Sequence, residues 1–463
     1  MTTLARLSPA DLTNLAVEAP DTPMHQAVLA SLDAGSLVDE SGALRLREIQ
    51  AHVEARLVRV PELRRILFRP HVFAGRPLWI DDPDFHIANH VQAVRLDPPG
   101  GEAAALAFAE SEMSRLMDRS RPLWRIWLLE GYSADRLGIL IKVHHALADG
   151  HAIVNMLTQV FDIEPVVTDR PSSGWTPSAP PGATELVADN LKRKSRSIAR
   201  AIQRLAHPVV MARSARSALA GTAERLRQTR GAPDVSFNRP IQIARRVGAI
   251  HIPLVDVIAV AHARGVKLND VFLGLIATAL RSALGSRGER IRGPLRASVA
   301  VSRAGSRDMY GNHVGTVVVA LPMDIDDPGA LLTKVAQAST RAKTKQRALA
   351  STGLMFFLAR TGITRAFIRR QHMINVLTTD LPGPPVPLYF AAAEIRDPIA
   401  LPPIAGNVTV AFAALSYAGE LTLSFVADAS AWPDAGVLTD ALRSTWLEFR
   451  ELLLSEPVAV LSA

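Results

Sequence analysis

The chain has 463 residues, 48% of them apolar and 21% charged, with a formal net charge of +8 and no cysteine. That length predicts two or three domains with a sizeable core, and the balance of apolar and charged residues excludes disorder for the bulk of the chain. The missing cysteines exclude disulfides, thiolate nucleophiles and thiolate metal sites, and fit a reducing compartment.

A first part, residues 1–167, opens at Met1–Ala10 without the basic-then-apolar pattern of a signal peptide. It mixes a helical pattern over Ala103–Met117 with strand-like runs at Ile126–Glu130 and Gly138–Val143. No uncharged apolar run reaches the roughly 18 residues of a membrane span. The expectation is a cytoplasmic protein whose contact with a membrane or lipid droplet is peripheral.

A second part, residues 168–235, begins with the Pro/Ser/Gly-rich stretch Pro171–Pro181, which has linker chemistry. Between Lys192 and Arg230 stand eleven Lys and Arg residues against one acid, Glu224, so this stretch alone outweighs the net charge of the whole chain. Leu191, Ile198, Ile202 and Leu205 recur at helical spacing, which predicts an amphipathic helix broken at Pro208. Two readings stay open: a solvated helix packed on its own protein, or a surface for anionic lipid headgroups. Nucleic acid is disfavoured, because the stretch has no aromatic side chain to stack on bases.

The third part, residues 236–463, again mixes helices (Asp270–Leu284, Asp440–Leu454) with strands (Thr316–Leu321, Thr409–Ala414, Leu421–Val426). Two large parts of similar α/β character predict a two-lobed α/β protein. Nothing in the sequence sets an oligomeric state.

The chemistry concentrates in Leu137–Gly150, LGILIKVHHALADG. An apolar strand ends abruptly at His144-His145, and Asp149-Gly150 supplies turn chemistry. Adjacent side chains on a strand point to opposite faces, so one histidine can face a cavity while the other packs behind it. A neutral imidazole can take the proton of an alcohol that attacks an activated acyl carbonyl. A buried structural pair is the plainer alternative. No nucleophile elbow, P-loop, dinucleotide fingerprint or His-Glu-x-x-His occurs, so neither a covalent intermediate nor a metal is expected. Asp149 reads as a salt-bridge residue shaping the turn, with Arg64 as its expected partner, rather than as a triad member. Asn269 is expected to cap the helix that carries VFLGLIATALRSAL. Pro122-Leu123-Trp124 reads as a strand entry with a buried indole.

His144-His145-Ala146-Leu147-Ala148-Asp149-Gly150 resembles the His-His-x-x-x-Asp-Gly motif of the wax ester synthase/diacylglycerol acyltransferase family, within the superfamily of chloramphenicol acetyltransferase and condensation domains. Further runs resemble this lipid-synthesising branch: Leu7-Ser8-Pro9 with Pro23-Met24-His25, Pro122-Leu123-Trp124, Asn269-Asp270, Gly311-Asn312, Leu381-Pro382-Gly383-Pro384 and Ser416-Tyr417-Ala418-Gly419. The resemblance implies two chloramphenicol-acetyltransferase-like lobes, each a mixed sheet with helices, around a central tunnel. It implies acyl-CoA as co-substrate, with no tightly bound cofactor, and diacylglycerol or a long-chain alcohol as acceptor. His145 maps to the general base, His144 and Gly150 to residues that shape the site, and Asn269-Asp270 to a site-lining or structural pair. Thr379-Asp380 stands where the family usually has Ser-Asn, a departure that bears on acceptor choice. A different alcohol acceptor, or a non-catalytic lipid-surface protein that kept the fold, are the alternatives.

Overall fold

A computed structural model describes residues 4–166, 174–205, 231–302, 314–348 and 363–455. Pro208, the basic residues after it and Gly311-Asn312 lie outside the described residues, as do the side chains of Arg200, Arg204 and Leu205.

The first part of the chain runs α1 (Pro9–Val17), β1 (His25–Asp33), α2 (Leu46–Arg56), β2 (Arg65–Phe68), β3 (Leu78–Asp81), β4 (Val91–Arg95), α3 (Gly101–Met113), β5 (Trp124–Glu130), β6 (Arg136–His144) and α4 (Gly150–Val160). After α5 (Ala183–Leu205) come β7 (Arg245–Pro253), α6 (Leu254–Ala263), α7 (Leu268–Gly285), β8 (Leu295–Ser302), β9 (Val314–Leu321), α8 (Pro328–Ala348) and α9 (Ile363–Ile368). The chain closes with β10 (Val376–Pro382), β11 (Tyr389–Phe390), β12 (Ala393–Leu401), β13 (Val410–Tyr417), β14 (Glu420–Asp428) and α10 (Ala435–Ser455). The described strands form two mixed six-stranded sheets, ordered β11-β12-β1-β6-β5-β4 and β7-β14-β13-β10-β8-β9, with β2-β3 as a small ribbon.

β6 is buried along almost its whole length, which is why its sequence is an unbroken apolar run rather than an alternating one. It pairs antiparallel with β1 from His25 opposite His144 to Asp33 opposite Arg136. Strand alternation then sorts the side chains. Ala30, Ile139, Ile141 and Val143 pack with residues of α2 and α4, whereas Ala27, Leu29 and Leu140 pack with α3 and reach Val247 and Val426 of the second sheet. That second cluster joins the lobes. They also share chain: β12, late in the sequence, pairs with β1 between Ala27–Leu401 and Leu32–Ile395.

The second lobe is centred on α7, whose residues from Asp270 to Leu280 are all buried. This helix is long and apolar enough to cross a membrane, but 72% of it lies inside the protein. A helix that is apolar all round is satisfied by core burial, and α7 finds it between β-strands, α8 and α10. Its start differs from expectation. Asn269 lies inside the first turn, half-buried, and the position before the helix is Lys267. The Asp270 carboxylate accepts from the Lys267 N–H at 3.1 Å, so a side chain inside the first turn reaches back to the backbone that enters the helix.

Candidate active site

The His144-His145 pair is pinned by its backbone on both sides. The His144 N–H donates to the Leu123 carbonyl at 3.0 Å, and the His145 N–H donates to the Met24 carbonyl at 2.8 Å. Pro122-Leu123-Trp124 thus acts through the strand ladder. Trp124 is buried, donates its indole N–H to Leu63 O at 2.6 Å and stacks on His90 with ring centroids 4.6 Å apart. Burial lowers the His90 imidazole to about 4, so that ring is neutral.

Beyond the pair the chain turns into α4. The Asp149 side chain accepts from the Ala152 N–H at 2.9 Å, a helix cap that places the start of α4 immediately after the motif. Arg64 is not its partner, contrary to expectation. The guanidinium donates to Glu54 O at 3.0 Å and lies 4.8 Å over the Trp175 ring, drawn to an aromatic face and a carbonyl instead. Gly150 matters through space. A Cβ there would lie 2.8 Å from a Leu381 methyl, so glycine lets β10 close on the first turn of α4.

The two imidazoles part company as strand geometry demands. His144 is fully buried in a polar cluster with His25, Glu18 and Arg119. Glu18 Oε1 lies 3.0 Å from His144 Nε2 and 3.2 Å from His25 Nε2, while Glu18 Oε2 accepts from Arg119 Nε at 3.0 Å. Burial acts to raise the Glu18 carboxyl, but the two rings outweigh it and hold the group ionised far below the usual carboxylate range. Burial likewise keeps His25 neutral, with its pKa lowered to about 4.

The Ala146 N–H donates to His144 Nδ1 at 2.8 Å. A backbone N–H can only donate, so the neutral His144 ring carries its proton on Nε2, facing Glu18. Glu18, His25 and His144 are spaced as three metal ligands could be, with donor atoms within 4.8 Å of one another. The donor set fits poorly. The His144 nitrogen that would ligate bears the proton, and Arg119 already neutralises the carboxylate. The cluster is a buried polar hub held around the Glu18 carboxylate.

His145 is half-buried on the other side. The Asn14 amide of α1 bridges it, with Nδ2 3.1 Å from the His145 carbonyl and 3.2 Å from ring Nδ1. Glu18 and Asn14 therefore reach both histidines from α1 and its C-terminal end. Neither was anticipated from sequence, although both interrupt an otherwise apolar stretch, Leu12–Val17 with Glu18 following. Polar residues in such a stretch are signals of buried partners.

Thr379-Asp380 sits on β10, opposite α4. Burial raises the Asp380 carboxyl, against the opposing charges of Lys343 and of His151, the residue that follows Gly150. Asn269 and Asp270 lie at the N-terminus of α7 in the second lobe, where Asp270 caps its own helix.

Comparison with known proteins follows this geometry. Residues 7–272 match the wax ester synthase/diacylglycerol acyltransferase catalytic domain, and residues 310–449 match the C-terminal domain of the same proteins. The chain belongs to the wax ester synthase/diacylglycerol acyltransferase family. It is an acyltransferase. A Mycobacterium tuberculosis protein named "probable diacylglycerol O-acyltransferase tgs1" is 30% identical over 81% of this chain and 81% of its own length. Another M. tuberculosis protein, named "putative diacylglycerol O-acyltransferase Rv1760", is 27% identical over 98% of this chain and 92% of its own length. In fold, the chain resembles the wax ester synthase/diacylglycerol acyltransferase of Marinobacter aquaeolei VT8, with a TM-score of 0.66, 23% identity, and 97% and 100% of the two chains covered. It also resembles the starter condensation domain of rhizomide synthetase bound to C8-CoA and Leu-SNAC, with a TM-score of 0.61, 14% identity, and 100% and 97% covered. The two-lobed fold of this family is therefore the fold of the chain.

Proposed function

We propose that this protein transfers a long-chain acyl group from acyl-CoA directly to the hydroxyl of diacylglycerol, or of a long-chain alcohol, with His145 as general base. The observation that carries the reading is the divergence of the histidine pair. His144 is locked into the buried Glu18 hub, while His145, half-buried, is held by its backbone and by Asn14 beside the start of α4.

His145 Nε2 accepts the hydroxyl proton as the oxygen attacks the thioester carbonyl. The tetrahedral intermediate collapses with loss of the CoA thiolate, which takes that proton and leaves as the thiol. No acyl-enzyme forms. Proton acceptance at Nε2 requires the ring proton on Nδ1. Acceptor-dependent release of thiol from long-chain acyl-CoA by the purified protein tests this reading.

Such products are insoluble in water, so the enzyme works at a lipid surface. α5 supports this. Its early turns dock on the first lobe through buried Leu186, the Arg6–Asp189 ion pair and Asn190, which donates to Phe73 O at 2.9 Å. Further along, Leu191, Ile198 and Ile202 are about 60% exposed rather than packed on the protein, and Phe73 beside the helix is 84% exposed. Lys192, Lys194 and Arg196 accompany this apolar stripe. Apolar side chains that enter the headgroup boundary, flanked by cations, bind anionic bilayers. Phe73→Ser combined with Ile198→Ser is expected to reduce co-sedimentation with vesicles of phosphatidylcholine and phosphatidylglycerol. Undiminished co-sedimentation would remove α5 as the docking element.

A further inference from the structure

Two cavities lie between the first sheet and α4. One of about 60 Å³ has Val28 and Ala30 of β1 and Ile139 of β6 as its floor, with Val154 and Leu157 of α4 above. A second, of about 20 Å³, continues toward α2 and Trp124. Ile141 and Leu157 line both, so these two side chains form the partition between them.

The larger cavity has no polar handle. Two hydroxyl groups stand on its wall, and both are used elsewhere. Thr158 Oγ1 donates to Asn155 O at 2.8 Å, and Tyr417 Oη donates to Ile395 O at 3.0 Å while accepting from the Leu388 N–H at 2.7 Å. An interior lined by carbon apart from hydroxyls already hydrogen-bonded elsewhere stays dry and takes apolar ligands.

Its position ties it to the histidine motif. Gln26, Val28 and Ala30 share one face of β1, opposite Val143, Ile141 and Ile139 of β6. The head of this row is fixed to the motif, because Gln26 Nε2 donates to Ala148 O at 3.1 Å. α4 starts at Gly150, and Val154, Leu157 and Phe161 follow at helical spacing over the same floor. A chain entering beside the motif would run along the underside of α4, away from His145.

We propose that this sheet–α4 cleft holds the hydrocarbon chain of the acyl donor, and that Leu157 against Ile141 sets how far the chain reaches. The proposal rests on the acyl-CoA reading above and assigns a place to its chain. The larger space is bounded by α4, by the first sheet and by Gly383, Pro384 and Leu415, and its apolar lining suits a hydrocarbon chain. The thioester brings one chain, whereas diacylglycerol brings two; a long-chain alcohol also brings one, and binding of the acyl-CoA thioethers in its absence assigns the cleft to the donor.

Binding of S-hexadecyl-CoA and S-butyl-CoA, thioethers that cannot react, tests the site without turnover. Titration calorimetry compares the native protein with Val154→Trp, Leu157→Phe and Leu157→Ala, each checked for native circular dichroism. Every methylene denied burial weakens binding, so Val154→Trp or Leu157→Phe is expected to lower hexadecyl affinity about tenfold or more and to leave butyl affinity within about twofold. Leu157→Ala joins the cavities and is expected to raise the hexadecyl-to-butyl affinity ratio, so the site remains testable if a bulky variant does not fold. Tight hexadecyl binding that no folded variant alters would overturn the cleft alone. No thioether binding to the native protein would overturn the cleft and the acyl-CoA reading together.

Discussion

His145→Ala is expected to lower acyl-transfer turnover by about 10²–10⁴-fold, the usual contribution of a positioned general base, while the protein stays folded. The asymmetry of the pair underlies the expectation. His145 contributes its backbone N–H to Met24 and its ring to Asn14, and alanine keeps the first of these. The ring is half-buried, so its removal opens no deep cavity. The mutation should therefore separate chemistry from stability, and far-ultraviolet circular dichroism with a thermal melt checks that it does. A folded His145→Ala protein with native turnover would remove His145 from the reaction.

Glu18→Ala should do the opposite and strike the scaffold first. The carboxylate faces two buried imidazoles and the Arg119 guanidinium, and it also accepts from the Met24 N–H at 3.2 Å. Its removal takes the carboxylate away from two fully buried imidazoles and from the Arg119 guanidinium. Breaking one side of a buried charge pair typically costs about 3–5 kcal/mol, and a destabilisation of that order is expected in urea unfolding. Met24 and His144 are the backbone anchors of His145, so turnover should fall as well. Glu18→Gln keeps one acceptor oxygen and should lie between the two. A Glu18→Ala protein with the native urea midpoint and native turnover would show that the hub does not support the site.

The elements legible in the sequence were those with a local signal. β6 announced itself as an apolar run, α7 and α10 through helical periodicity, and the turn into α4 through His144-His145 followed by Asp149-Gly150. The partners of the histidines were not legible in this way. Asn14, Glu18 and Arg119 are separated from His144 and His145 by between 25 and 131 residues, and only the pairing of β1 with β6 and the packing of α1 bring them together. The same limit explains two corrected details. Arg64 was assigned to Asp149 on charge alone, yet a carbonyl and an indole face are nearer. Asn269 had the right chemistry for a cap, but Asp270 one residue later reaches back to the Lys267 N–H. Crossing of β12 into the first sheet is likewise a long-range pairing with no local trace.

The central claim is direct acyl transfer to a lipid alcohol, and acceptor-dependent thiol release measures it most directly. Purified protein is given palmitoyl-CoA with diacylglycerol, with hexadecanol, or with no acceptor. Fast release with at least one lipid alcohol, slow release without one, and loss of the difference in His145→Ala is the predicted result. A folded native protein that releases no thiol with either acceptor, or releases it equally without one, would contradict the account.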